Sequence, residues 1–151
     1  MLVDVFDYYA ERANLSDKLR ICRNSGHPIG GVYRTGEVCV VFKKWDSIAD
    51  SVYCLLHEIR HAMQLGDIDT GKFEDFYKTK QVFNILERDA DHFANREYRK
   101  HYWHLGWTDG LAEEWQFLNF ISGSLAWPSS TPEQIKTAHS LVSRANSLIP
   151  V

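Results

Sequence analysis

The chain has 151 residues, 44% of them hydrophobic and 13% aromatic, and a net charge of −3. That suffices for one domain, 1–151, with a core of its own, and is too apolar for a disordered chain. The lack of basic excess argues against a nucleic-acid partner, and no run approaches the ~18 uncharged apolar residues that would read as a membrane span. Asp4, Asp7 and Glu11 occupy the start, where a secretory signal would carry basic residues before an apolar run. Cys22, Cys39 and Cys54 are odd in number and widely spaced, with no Cys-x-x-Cys pair. Free thiols in a reducing cytoplasm are the expectation.

Residues 3–14 place Val5, Phe6, Tyr9, Ala10 and Ala13 at helical spacing, which predicts an amphipathic helix. Turn signals at Ser25-Gly26-His27-Pro28 and Gly30-Gly31 separate β-rich runs at 19–22, 31–33 and 37–42, with Arg34-Thr35-Gly36 as a hairpin turn. Asp46 or Ser47 can cap a helix over 47–65 that Gly66 ends. The loop 66–73 holds Asp67, Asp69 and Gly71 but lacks the spacing of a calcium loop. A helix over 73–98 carries Val82, Leu86, Ala90 and Phe93 along one side. Another runs from Thr108 or Asp109 to about residue 121, with Leu111, Trp115 and Leu118 inward. Residues 123–130 read as loop. Thr131-Pro132-Glu133-Gln134 then combines a capping hydroxyl, an early proline and a glutamine three positions after the cap, and so opens a last helix. The expected fold is α+β: mostly helical, with a small antiparallel sheet preceding the 47–65 helix.

That helix contains His57-Glu58-Ile59-Arg60-His61. Positions i and i+4 share a helix face, so His57 and His61 can put two imidazole nitrogens on one cation, with Glu58 beside it. Ile48, Val52, Leu55, Leu56, Ile59, Ala62 and Met63 form an apolar stripe on the opposite side. The histidines therefore lie off the core-facing stripe. A solvated face with two ordinary histidines has the same local pattern, so a further ligand must come from elsewhere. Glu87 is the best candidate, 26 residues beyond His61 on the next helix. Asp91, one turn on, can accept the spare ring N–H of a liganding histidine. Cys54 is a weaker candidate and suits packing better, and His92 points off the Glu87–Asp91 edge. His27, His101, His104 and His139 read as ordinary histidines rather than ligands.

His57-Glu58-Ile59-Arg60-His61 followed by Glu87-Arg88-Asp89-Ala90-Asp91-His92-Phe93-Ala94 resembles the zinc peptidases of the ImmA/IrrE family. Their pattern is His-Glu-x-Gly-His, then Glu-x-x-Ala-Asn-x-Phe-Ala on the next helix. The Glu-x-x-x-Asp step is also similar to that of the gluzincins. The resemblance covers roughly residues 30–98. Arg60 stands where the family has glycine, Asp91 where it has asparagine, and Asn95-Arg96-Glu97-Tyr98 replaces an apolar tail. No helix-turn-helix segment is evident.

The resemblance implies a zincin-like domain and a cytoplasmic zinc metallopeptidase, with Zn2+ on His57, His61 and Glu87 and Asp91 supporting a histidine. Glu58 would be the catalytic base. The substrate would be a peptide bond of a specific intracellular protein, for which a transcriptional repressor is one target. The edge of the strand at 37–42 would pair with an extended substrate. An oxyanion donor is also expected, with Tyr98, His101, Tyr102 and His104 as candidates. Two other readings compete: a zinc-stabilised binding module without activity, and a metal-free helical interaction module in which the histidine spacing is coincidental.

Overall fold

The computed structural model describes residues 2–15, 19–23, 31–34, 38–42, 47–65, 73–112 and 127–149, with side chains outside the strands and outside 73–74. Helix α1 (Leu2–Arg12) buries Val5, Phe6, Tyr9 and Ala10. It ends where Asn14 turns left-handed at φ 56°. There the Leu15 N–H reaches the Ala10 carbonyl at 2.8 Å, and the Asn14 N–H reaches Glu11 at 3.1 Å. This is the paired closure that satisfies a helix's last carbonyls.

Three short strands follow: β1 (Leu19–Arg23), β2 (Gly31–Arg34) and β3 (Val38–Phe42). Here the α+β expectation with an antiparallel sheet requires correction. The described residues are mostly helical, and the body of the protein is a helical core rather than an α+β domain built on a sheet. The strands lie in the order β1-β3-β2. β2 runs antiparallel to β3, but β1 runs parallel to it, with Leu19 opposite Val38 and Arg23 opposite Phe42. β3 thus has both edges occupied. The substrate-pairing edge expected at 37–42 is not available there. The cause lies in the choice of edge: β1 adds to the side of β3 that the β2–β3 pair leaves open.

Helix α2 (Ile48–Leu65) is the centre of the packing, with α1, β3 and the helices at Lys80–His101 and Pro132–Leu148 around it. Val52, Leu55, Leu56, Ile59 and Met63 are at most 1% exposed. Burying such a side chain contributes roughly 1.5–3 kcal/mol relative to exposure, so the stripe fixes the rotation of α2 and with it the direction of the histidines. Ile48, expected in the stripe, is exposed at the helix start.

The helix expected over 73–98 is two: α3 (Phe73–Tyr77) and α4 (Lys80–His101). Thr79 between them is extended, and Ser130 Oγ accepts the N–H groups of Gln81 and Val82 at 3.0 Å each. Residue 130 thus caps α4 from far along the chain. Helix α5 (Pro132–Leu148) starts on the expected capping box of Thr131 and Gln134 and buries Ala138, Leu141 and Ala145. It joins Leu65, Val82 and Leu86 in a smaller core. Asp109–Leu111 forms one 3-10 turn, and the helix expected beyond it, like the loop at 66–72, falls outside the described residues. No described helix is long and apolar enough to cross a membrane.

Candidate metal centre

α2 and α4 run antiparallel side by side. Gln64 meets Leu86, His57 meets Asp91, and Tyr53 meets Tyr98. The two one-turn steps, His57 to His61 and Glu87 to Asp91, therefore face each other. His57 Nε2 lies 3.0 Å from Glu87 Oε2, His61 Nε2 lies 3.0 Å from Glu87 Oε1, and the two Nε2 atoms are 3.1 Å apart. These three side chains form a group that could hold a metal ion. A tetrahedral ion with bonds of 2.0–2.1 Å has ligand–ligand edges of about 3.4 Å, so the triangle needs to open by only a few tenths of an ångström.

The proton positions make the case stronger. His57 Nδ1 is 2.7 Å from Asp91 Oδ1 and His61 Nδ1 is 2.9 Å from Gln64 Oε1. Both partners are acceptors, so each Nδ1 carries the hydrogen. In a neutral imidazole that leaves the Nε2 lone pair free. Two lone pairs and a carboxylate then meet at one point, which is stable only around a cation, whether protons or a metal. The electrostatics agree. Burial opposes protonation of His57, yet Glu87 and Asp91 hold its pKa well above the ordinary value. His61 is also pushed up, against burial, by Glu87. Burial would raise Glu87, but His61 and His57 hold it well below the usual carboxylate range.

Glu58, 6% exposed, stands beside this group. Burial pushes its carboxyl up, His57 and His61 pull it down, and Glu87 and Asp91 push it up again. A buried carboxyl with a raised pKa suits proton transfer near neutrality.

Two residues of the centre escaped the sequence pattern. Gln64 is fully buried and sets the His61 tautomer. Tyr77, on the short α3, donates its hydroxyl to Glu87 Oε1. Its ring is held by Phe83 and Trp127 and stands edge-on to His61, 6.2 Å between centroids. Spacing alone does point at Gln64, three positions beyond a ligand on the same helix; nothing local points at Tyr77.

The oxyanion candidates Tyr98, His101, Tyr102 and His104 gather elsewhere. Tyr98 lies eleven residues past Glu87 along α4, about 16 Å at 1.5 Å per residue. Its hydroxyl donates to the Gly106 carbonyl at 2.6 Å. Tyr102 packs near Tyr98 and His101, His101 tilts against Tyr8, and His104 is exposed. Cys54 packs against the main core outside the ligand group, and His92 and His139 are exposed. His27 falls outside the described residues. Comparison with family models, with curated proteins and with solved structures gives no match for this chain.

Proposed function

We propose that the protein is a cytoplasmic zinc-dependent metallopeptidase that hydrolyses a peptide bond of a specific intracellular protein. The observation that carries this reading is the convergence of the His57 and His61 Nε2 atoms on the Glu87 carboxylate, with the buried carboxyl of Glu58 alongside. Both imidazoles with one carboxylate suit zinc, and three protein ligands leave room for a reacting group. When bound, zinc supplies Lewis-acid polarisation of a carbonyl and lowers the pKa of a water to about 7.

The chain's own residues supply the rest. Asp91 holds the His57 ring by its Nδ1–H, and Gln64 does the same for His61. Glu58 takes a proton from the attacking water and passes it to the leaving amine. The Tyr77 hydroxyl, whose one proton rests on Glu87 Oε1, turns from that carboxylate to donate to the oxygen on which charge develops. The odd, widely spaced cysteines support a cytoplasmic setting. A transcriptional repressor as the target follows from the family resemblance alone.

Glu58→Gln is the test. The variant keeps full zinc content and loses cleavage of a substrate that the wild type cleaves. Retained cleavage refutes the mechanism. A wild type that binds zinc but cleaves none of a broad peptide library points to a zinc-stabilised binding module instead.

A further inference from the structure

Arg60, placed between the two histidines of the motif, is 1% exposed and heads the set of large, fully buried side chains. A buried guanidinium is tolerated only with good partners, so its partners define its role. Its Nε and Nη2 donate to the two oxygens of Asp89 at 2.8 and 3.1 Å, and Nη2 also donates to Asn146 on α5. Asp89 Oδ2 accepts a second donor, Gln64 Nε2, at 2.7 Å. The same Gln64 nitrogen donates to the Leu86 carbonyl at 3.0 Å. With its NH2 between two acceptors, the Gln64 amide cannot flip, and its oxygen is left for His61 Nδ1 at 2.9 Å. The backbone carbonyl of Gln64 accepts Arg144 Nη2 of α5 at 2.7 Å.

We propose that Arg60, Asp89 and Gln64 act as one positioning unit that holds His61 as a metal ligand, with α5 as its anchor. The proposal rests on the preceding functional reading only as far as metal binding. The chemistry explains why the support of His61 differs from that of His57. Asp91 gives His57 a carboxylate directly. Glu58 and Glu87 add two more carboxylates at the centre, so a further charge on His61 would over-supply negative potential. Gln64 orients the ring with a neutral amide. The charge that pins that amide, on Asp89, sits one step back and is neutralised by Arg60. Arg60 thus fills the position that the resembling family gives to glycine with a residue that reaches away from the ion.

The experiment measures zinc affinity by competition with a chromophoric chelator, the exchange of the His61 Nδ1 proton by NMR in zinc-loaded protein, and zinc-free stability in urea. The proteins are wild type, Gln64→Met, the charge-balanced Arg60→Met/Asp89→Asn, and the combined triple variant. Gln64→Met weakens zinc binding by about 10–100-fold and speeds exchange of the proton. Arg60→Met/Asp89→Asn weakens it by about 10-fold, and the triple variant loses no more than Gln64→Met alone, because one chain of contacts is broken once. Asn146→Ala, at an exposed position that leaves the core intact, speeds exchange of the same proton. Variants that lose only zinc-free stability while keeping wild-type zinc affinity and proton exchange overturn the proposal. So do losses that multiply in the triple variant. A wild type that binds no zinc removes the metal centre itself, whereas zinc-binding wild type with unchanged variants removes only the positioning unit.

Discussion

Removing zinc tests the metal centre through the stability of the fold. The candidate ligands come from two helices, with Glu87 26 positions beyond His61, so the complete site exists only in the folded chain. A ligand that binds only the folded state at 100 times its Kd stabilises by about 2.7 kcal/mol. In a chain of this length about 1 kcal/mol moves Tm by roughly 2–4 °C, so zinc raises Tm by about 5–11 °C. His57 and His61 remain one helical turn apart in sequence, and weak binding to the unfolded chain brings the expectation to the lower half of that range. Far-UV circular dichroism melts, after chelator treatment and then at defined free zinc, measure the shift. Glu87→Ala removes the ligand itself, which costs at least the ~100-fold of losing a supporting hydrogen bond. At the same free zinc, that leaves about 0.4 kcal/mol of stabilisation, a shift of about 1–2 °C. Glu58→Gln, which removes no ligand, keeps the wild-type shift. Equal Tm with and without zinc, or an undiminished shift in Glu87→Ala, refutes the reasoning.

Tyr77→Phe lowers kcat about 10²–10³-fold with KM and zinc affinity little changed, as expected when an oxyanion donor is lost. Weaker zinc binding at unchanged kcat would show instead that the hydroxyl serves only the Glu87 carboxylate. Asp91→Ala strands the buried Nδ1–H of His57 and weakens zinc about 10–100-fold in chelator competition; unchanged affinity removes Asp91 from the site. Gly110→Ala would drive a Cβ into the ring of Tyr53 at Cε1, and the hydroxyl of that ring donates to the Asp91 carbonyl. Urea unfolding should register a loss of about 1–3 kcal/mol, and unchanged stability would mean that the ring shifts freely.

Much of α2 could be read locally because a helix face repeats every 3.6 residues and both its duties, apolar stripe and histidine pair, obey that period. The Glu87 pairing could be read because Glu87 and Asp91 repeat the one-turn step of His57 and His61, so two antiparallel helices set side by side bring the two steps together. The break at Lys78 and Thr79 could not. Its cap is Ser130, whose hydroxyl accepts from residues 81 and 82, and no periodicity within 73–98 encodes a partner nearly fifty positions away. The sheet failed for a related reason. Alternation and turn residues identify strands, but whether β1 joins β2 or the far edge of β3 depends on what each edge meets in space.

The same distinction separates the ligands from the residues that hold them. A metal ligand must offer one of a few side-chain types at a helical step from its companion, so His57, His61 and Glu87 stand out as candidates. Gln64, Asp89 and Arg60 are residue types common on solvated helix faces, and alone each has that reading. Together they are inconsistent with it: Arg60 and Gln64 are at most 1% exposed, and burying them is tolerable only if each finds a partner on another element. Arg60 and Gln64 lie four apart on α2, and Asp89 lies between Glu87 and Asp91 on α4. Once the histidines and the acids are set opposite each other, the intervening Asp89 is brought against that pair and accepts from both. The pairing of His57 and His61 with Glu87 and Asp91 thus marks the register between the two helices, and that register turns three unremarkable polar residues into support for the candidate centre.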